Sequence, residues 1–290
     1  MSIPVMTAPA PAGPGPAVDA VRPARPQSAR SRSTAWKRVL WGVPLPLVLL
    51  ALWYLAVEND WVRLIPQLDE VGKEMWDFTF GGIHDDVYSA TLVTHLWAST
   101  QRVLKGFAYA TLLAVPLGIL MGRLPRVSSM TDLTISLLRP IPVTAWVPLV
   151  LIVFGLGSKS AVILIFLAAF YPVLLNTVAG VKAVPPRLAE AAAMLGTGRR
   201  QMLTHVVLPA ALPSILAGMR IALGFAWVVV VVGETVGVST GLGSVISEAR
   251  EISNTSLIIT GMVFIGLAGF ATDRLMTTGM RLAFRNRPLV

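Results

Sequence analysis

Six long apolar stretches, separated by short polar connections, constrain this chain more than any other feature of its sequence. They are Val39–Val57, Gly106–Gly122, Ile141–Gly157, Ala161–Val181, Ile215–Gly233 and Ile258–Leu275. A helix needs about 20 largely apolar residues to cross the hydrocarbon core of a bilayer, and each stretch meets or approaches that length. The second can begin earlier, because Thr91 to Lys105 keeps helical periodicity, which would carry Arg102 and Lys105 deep into the membrane. Pro44, Pro46, Pro116, Pro148 and Pro172 fall inside these runs. They would break soluble helices but are tolerated where neighbouring helices satisfy the freed backbone groups. Charged residues make up only 13% of the chain, 54% is apolar and the mean hydropathy is +0.70. An ordinary soluble domain carries about 25% charged residues, so this chain cannot cover a water-facing surface and lipid must be part of its solvent.

The net charge of +9 does not point to nucleic acid, because the basic residues lie in short blocks between apolar runs and not along one amphipathic face. The absence of cysteine excludes a disulfide framework and Cys-ligated metal. His84, His95 and His205 are scattered with no i, i+4 pair, so neither a metal nor any other cofactor is expected.

The basic blocks set an orientation, since Lys and Arg concentrate in cytoplasmic segments. Arg22, Arg25, Arg30, Arg32, Lys37 and Arg38 precede the first span; Arg123, Arg126 and Arg139 follow the second. Lys182, Arg187, Arg199 and Arg200 follow the fourth, and Arg274, Arg281, Arg285 and Arg287 the sixth. The alternate connections hold only Arg63 and Lys73, then Lys159, then Arg250. Both termini are therefore expected in the cytoplasm of a bacterial inner-membrane protein. Residues 1–38, rich in Pro, Ala and Arg, read as a disordered cytoplasmic tail. Residues 39–57 read as an uncleaved first span, being longer than a signal-peptide apolar region. Residues 58–90 form an acidic extracytoplasmic loop, 91–281 a core with the other five spans, and 282–290 a cytoplasmic tail.

The longest basic connection, 182–213, is the most informative. Pro185 and Pro186 suit the first turn of a helix. Leu188, Ala191, Ala192 and Leu195 recur at helical spacing, and Gly196 and Gly198 can stop it. A second short helix, about Arg199 to Val207, is expected to end at Leu208-Pro209. Two short helices around a glycine corner can fill a groove on a partner or lie on the membrane surface; periodicity leaves both open.

The order of residues adds to this. Glu190-Ala191-Ala192, three residues, Gly196, nine residues, Val206, one residue, Leu208-Pro209 resembles the cytoplasmic coupling signature of ATP-binding-cassette importer permeases, with Val206 where that pattern has Ile. Residues 139–160 and 226–250 resemble the nitrate/sulfonate/taurine branch, and the similarity covers about residues 90 to 280. The resemblance implies an all-α transmembrane fold, a six-span type-I permease bundle with a cytoplasmic coupling-helix loop. In that family the helix carrying Glu190 and Gly196 docks into a groove of an ATPase subunit, whose ATP-driven closure rocks the permease between inward- and outward-facing states. The resemblance further implies two ATPase subunits, an extracytoplasmic solute-binding protein and a second permease copy as partners. The cargo would be an aliphatic sulfonate, taurine or a nitrate-like anion, with bicarbonate or a pyrimidine precursor as alternatives. This chain has no G-x-x-x-x-G-K-[ST] phosphate loop. It is expected to transmit the work of a separate ATPase and not to be an enzyme itself.

Ionisable residues at membrane depth usually face a cavity or a partner. Glu234, which ends the run from Val228, is a candidate for the translocation path, or sits in water at the outer headgroups. Asn176 either lines the path or makes an interhelical hydrogen bond; Trp146 and Trp227 either cap a cavity or mark a membrane interface. Arg220 is expected to snorkel to the inner interface, with Asp273 and Arg274 at the inner end of the last span, and Gly218 and Gly224 to mark close helix approach. A secondary transporter would show internal repeats and interrupted helices, and a membrane enzyme would need clustered His, Asp or Glu at membrane depth. The chain shows neither.

Overall fold

A computed structural model describes residues 44–59, 65–84 and 86–283. The expected tail 1–38, Asp60, Arg63, Asp85 and nearly all of the segment 282–290 lie outside them. The chain divides into two units at residues 55 and 56.

The first described helix, α1, spans Pro44–Glu58 and consists almost entirely of apolar residues. Its 15 residues reach about 22 Å, less than the roughly 30 Å hydrocarbon core. Leu45, Leu47, Leu49 and Leu52 are all exposed, as lipid-facing side chains would be.

The remaining elements are α2 (Leu68–Phe80), α3 (Leu92–Arg123), α4 (Pro125–Leu138), α5 (Val147–Phe154), α6 (Ser158–Lys182), α7 (Pro186–Met194), α8 (Arg199–Glu234), α9 (Leu242–Glu251) and α10 (Thr255–Ala283). Four of these, α3, α6, α8 and α10, are long and apolar enough to cross a membrane, and α4 with the segment Val143–Phe154 makes a fifth only if that bent pair counts as one span. The second expected span does begin early, at Leu92.

The central helix is α6, packed along its length by α3 on one side and α8 on the other. Contact with α3 is close because a small residue recurs every fourth position: Gly106, Ala110, Ala114, Gly118 and Gly122. The two alanines are fully buried. A Cβ at Gly106 would meet Ile165 at 2.6 Å and one at Gly118 would meet Thr177 at 2.7 Å. Without a water-driven hydrophobic effect between spans, such backbone approach supplies much of the helix association. Gly218 of α8 meets Asn176 and Pro172 in the same way, as expected, whereas Gly224 faces open space.

The expected third span, Ile141–Gly157, is not one helix. A 3-10 turn at Val143–Trp146 leads into α5, and this segment turns 88° away from α4. Pro140 and Pro142 explain the break, because each lacks an N–H and disfavours helical geometry in the residue before it. In the sequence α4 has the look of a loop, because Ser128, Ser129, Thr131, Asp132, Thr134 and Ser136 make it polar. Several of those groups are satisfied locally: Ser128 donates to Asp132 at 2.9 Å, Ser129 to the Pro125 carbonyl at 2.9 Å and Thr131 to the Val127 carbonyl at 2.7 Å.

Between α2 and α3 the chain folds around Asp77, which is 2% exposed. Its carboxylate accepts from the N–H groups of Ile83 (2.7 Å) and His84 (2.9 Å) and from the Ser89 hydroxyl (2.6 Å). These donors, the Ser89 hydroxyl first, hold its pKa below the usual carboxylate value. Neighbouring Glu74 is shifted the opposite way, by burial. Tyr88 donates to Glu248 at 2.7 Å, tying this turn to α9, and burial together with that carboxylate pushes its phenol up to about 12.

Candidate functional site

The segment 185–209 forms around two local devices. Pro186 opens α7 at the position where a missing N–H costs nothing. The helix closes in a Schellman arrangement, with Thr197 N–H bonded to the Ala192 carbonyl at 3.1 Å and Gly196 N–H to Ala193 at 2.9 Å. Gly196 sits at φ +77°, a left-handed conformation that disfavours side-chain-bearing residues, yet nothing lies within 4 Å of the place a Cβ would occupy. The constraint at this corner is conformational and not one of bulk.

The expected second short helix does not end at Leu208-Pro209. It runs on through a π-helical stretch, Met202–Val207, into the long span of α8. Leu208 N–H reaches back to the Leu203 carbonyl, and this wider turn absorbs a proline that would clash with a regular helical repeat. Ala189 and Ala192, with Val206 and Leu208, pack against a cluster of Val181, Met202, Val207, Ala211 and Ile215. On the other side Glu190 and Ala191 are exposed beside Leu188, Met194 (89% exposed) and Leu195 (86%). The coupling pattern thus divides: Ala192, Leu208 and the base of α8 seat the segment, while Glu190 and Ala191 look outward next to bare apolar side chains.

The candidate path residues fall into two places. Asn176 and Trp146 line one cleft of about 510 Å³, together with Arg139, Tyr171, Pro172, Ile221 and Phe225. The Asn176 amide bonds the Pro172 carbonyl of its own helix at 2.8 Å, so no interhelical bond forms. Trp227 is 3% exposed in the core, its indole N–H donating to Thr272 at 2.9 Å. It neither caps the cleft nor marks an interface.

Glu234 is 1% exposed and lies neither in headgroup water nor in that cleft. Its carboxylate accepts from Arg102 at 2.6 Å, from the Ser99 hydroxyl at 2.8 Å and from Gly243 N–H at 2.9 Å. Arg102 also donates to the Thr240 carbonyl at 2.5 Å and to the Ser158 hydroxyl at 3.1 Å. The network ties α3, the start of α6 and the end of α8 to the turn leading into α9. Gly241 and Gly243 are small because a Cβ at either would press on Glu234. The sequence carries one signal for this pair, a basic and an acidic residue on two separate spans. Lys105 lies in a second cleft of about 500 Å³ with Tyr109 and Lys159. Arg220 does not snorkel alone: it forms a two-pronged pair with Asp273, at 2.6 and 2.9 Å, joining α8 to α10. Among the described residues no group of three or more His, Cys, Asp or Glu could hold a metal ion.

Residues 114–280 match the family described as binding-protein-dependent transport system inner membrane component. A putative permease protein of an ATP-binding-cassette transporter from Methanocaldococcus jannaschii is 41% identical over 82% of this chain and 88% of its own. The taurine transport system permease of Escherichia coli is 36% identical, covering 78% of this chain and 82% of its own. The bicarbonate transport system permease of Synechococcus elongatus is 33% identical, covering 87% and 93%. Among solved structures, an inward-facing form of the MetNI methionine transporter matches with a TM-score of 0.55 at 21% identity, covering 64% of this chain and 95% of that one. This last likeness bears on the fold alone.

Proposed function

Because this chain belongs to the binding-protein-dependent transport system inner membrane components, we propose that its segment 185–209 receives work from an ATPase partner and passes it to the membrane spans. The chain is a multi-pass inner-membrane permease subunit of an ATP-binding-cassette importer; the hydrolysis of ATP lies on a separate subunit, and a solute-binding protein is the other partner class. The observation that carries the proposal is the divided face of α7. Glu190 and Ala191 stand exposed beside Leu188, Met194 and Leu195, on a helix seated by Ala192 and stopped by Gly196. Apolar side chains bared next to a charge suit a groove in another protein.

On this reading α7 is cytoplasmic, as are both termini, and two copies of the chain pair about a two-fold axis with two ATPase subunits. The cargo is a small anion-bearing solute, taurine or another sulfonate, with nitrate or bicarbonate as alternatives. Relatives that carry taurine and bicarbonate support this class. Co-purification tests the docking role: the ATPase should accompany the wild-type chain, and Glu190→Lys should lose it while the permease still inserts. Full retention of the ATPase by that variant would refute the role.

A further inference from the structure

The sequence pattern places Arg139 in one cytoplasmic loop with Arg123 and Arg126, but α4 intervenes, and its 14 residues separate the two ends by about 20 Å. The start of α4 is fixed beside the end of α6, where Lys182 donates to Ser128 at 3.2 Å. The far end of α4 brings Arg139, itself exposed, into one cleft with Tyr171, Pro172 and Asn176, which lie near the middle of the 25 residues of α6. Arg139 therefore sits about halfway along a membrane-crossing helix.

A cation at that depth is costly unless it is paired or faces water. Arg102 and Arg220 have carboxylate partners. For the Arg139 guanidinium no hydrogen bond or ion pair is found among the described residues, and the Tyr171 hydroxyl and Trp146 indole N–H are likewise without a polar partner. No carboxylate lines the cleft; apart from the Asn176 amide, the rest of its wall is apolar. Unused donors lining one cleft with a cation, and no acid among them, make a place for an oxyanion, whose oxygens a guanidinium fork meets in two parallel bonds. The volume of about 510 Å³ exceeds that of a sulfonate or bicarbonate ion, so the ion enters with water and is held loosely, as passage requires.

The geometry points to Arg139, with Tyr171, Trp146 and Asn176, as a mid-membrane way-station for small oxyanions. This rests on the importer reading and names the residue that selects charge within it.

The chain contains no cysteine, so single Asn176→Cys and Ile221→Cys variants, assembled with their ATPase in membrane vesicles, report on the cleft directly. Each is treated with two methanethiosulfonate reagents, one ending in an ethylsulfonate anion and one in a trimethylammonium cation. Rates are normalised to the same reagents with a free thiol. The anionic reagent should be preferred about tenfold, the lower end of what a charge-lined cleft adds to arrival rates. Arg139→Gln should abolish the preference and Arg139→Lys retain part of it. Equal rates, a preference that survives Arg139→Gln, or no labelling at either position would overturn the assignment. Failure of the importer reading would show separately, as an absent ATPase in the co-purification.

Discussion

Replacing Glu234 by Gln should be among the most damaging isosteric changes in the chain. The carboxylate accepts from three groups: the Ser99 hydroxyl and Gly243 N–H on one oxygen and Arg102 on the other, with Gly241 pressed close. A glutamine amide turns one oxygen into a donor, which then faces either the Ser99–Gly243 pair or the guanidinium. It also leaves Arg102, itself 6% exposed, without a countercharge. Two unit charges about 4 Å apart attract by about 4 kcal/mol at an effective dielectric of 20. Breaking one side of a buried pair typically costs about 3–5 kcal/mol. Both routes lead to a loss of several kcal/mol in unfolding free energy, measurable by denaturant titration of the purified permease in mixed micelles. The double variant Arg102→Met/Glu234→Leu removes both charges and should recover most of the loss, because apolar replacement of a buried pair is often close to neutral. A cost below about 1 kcal/mol for Glu234→Gln, or a double variant that simply adds two penalties, would refute the buried-pair argument.

Three further outcomes follow. Gly196→Ala and Gly196→Asp should each cost about 1 kcal/mol of local stability through the left-handed φ, and Gly196→Asn less; equal ATPase co-purification by all three would separate the corner from docking. Gly118→Leu should lower the thermal midpoint, with overpacking of about 1–3 kcal/mol, since even its Cβ would lie 2.7 Å from Thr177; an unchanged midpoint would contradict the α3–α6 contact. For Tyr88, the phenol pKa is raised to about 12 in the folded state, so its bond to Glu248 stabilises the fold fully below the ordinary value of about 10 and is lost as pH rises through about 12. Tyr88→Phe should remove that alkaline dependence, and an identical pH profile in the variant would show that another group titrates.

The sequence made the long spans legible where hydropathy and length coincide: α6, α8 and α10 lie where the apolar runs predict them. It misled at α4, where Ser128, Ser129 and Thr131 bond within the helix while the run of polar residues mimics a loop, and at Ile141–Gly157, where prolines break a run that composition alone makes continuous. The residue order of the coupling segment was legible because turn chemistry is local: Pro186 and Gly196 do what such residues do anywhere. The fate of Glu234 was not, because its partners are Ser99 and Arg102 of α3 and the Gly243 N–H, and their convergence depends on packing between distant segments. The same is true of the cleft, whose arginine was visible only as one more positive charge.

The π-helical stretch at Met202–Val207 keeps helix α8 unbroken from Arg199 to Glu234, 36 residues in all, or about 54 Å. The Arg102–Glu234 pair and the corner at Gly198 thus stand at the two tips of a single helical rod. On the coupling proposal, work delivered at the Gly198 tip would travel along that rod to the Arg102–Glu234 pair, which joins it to α3.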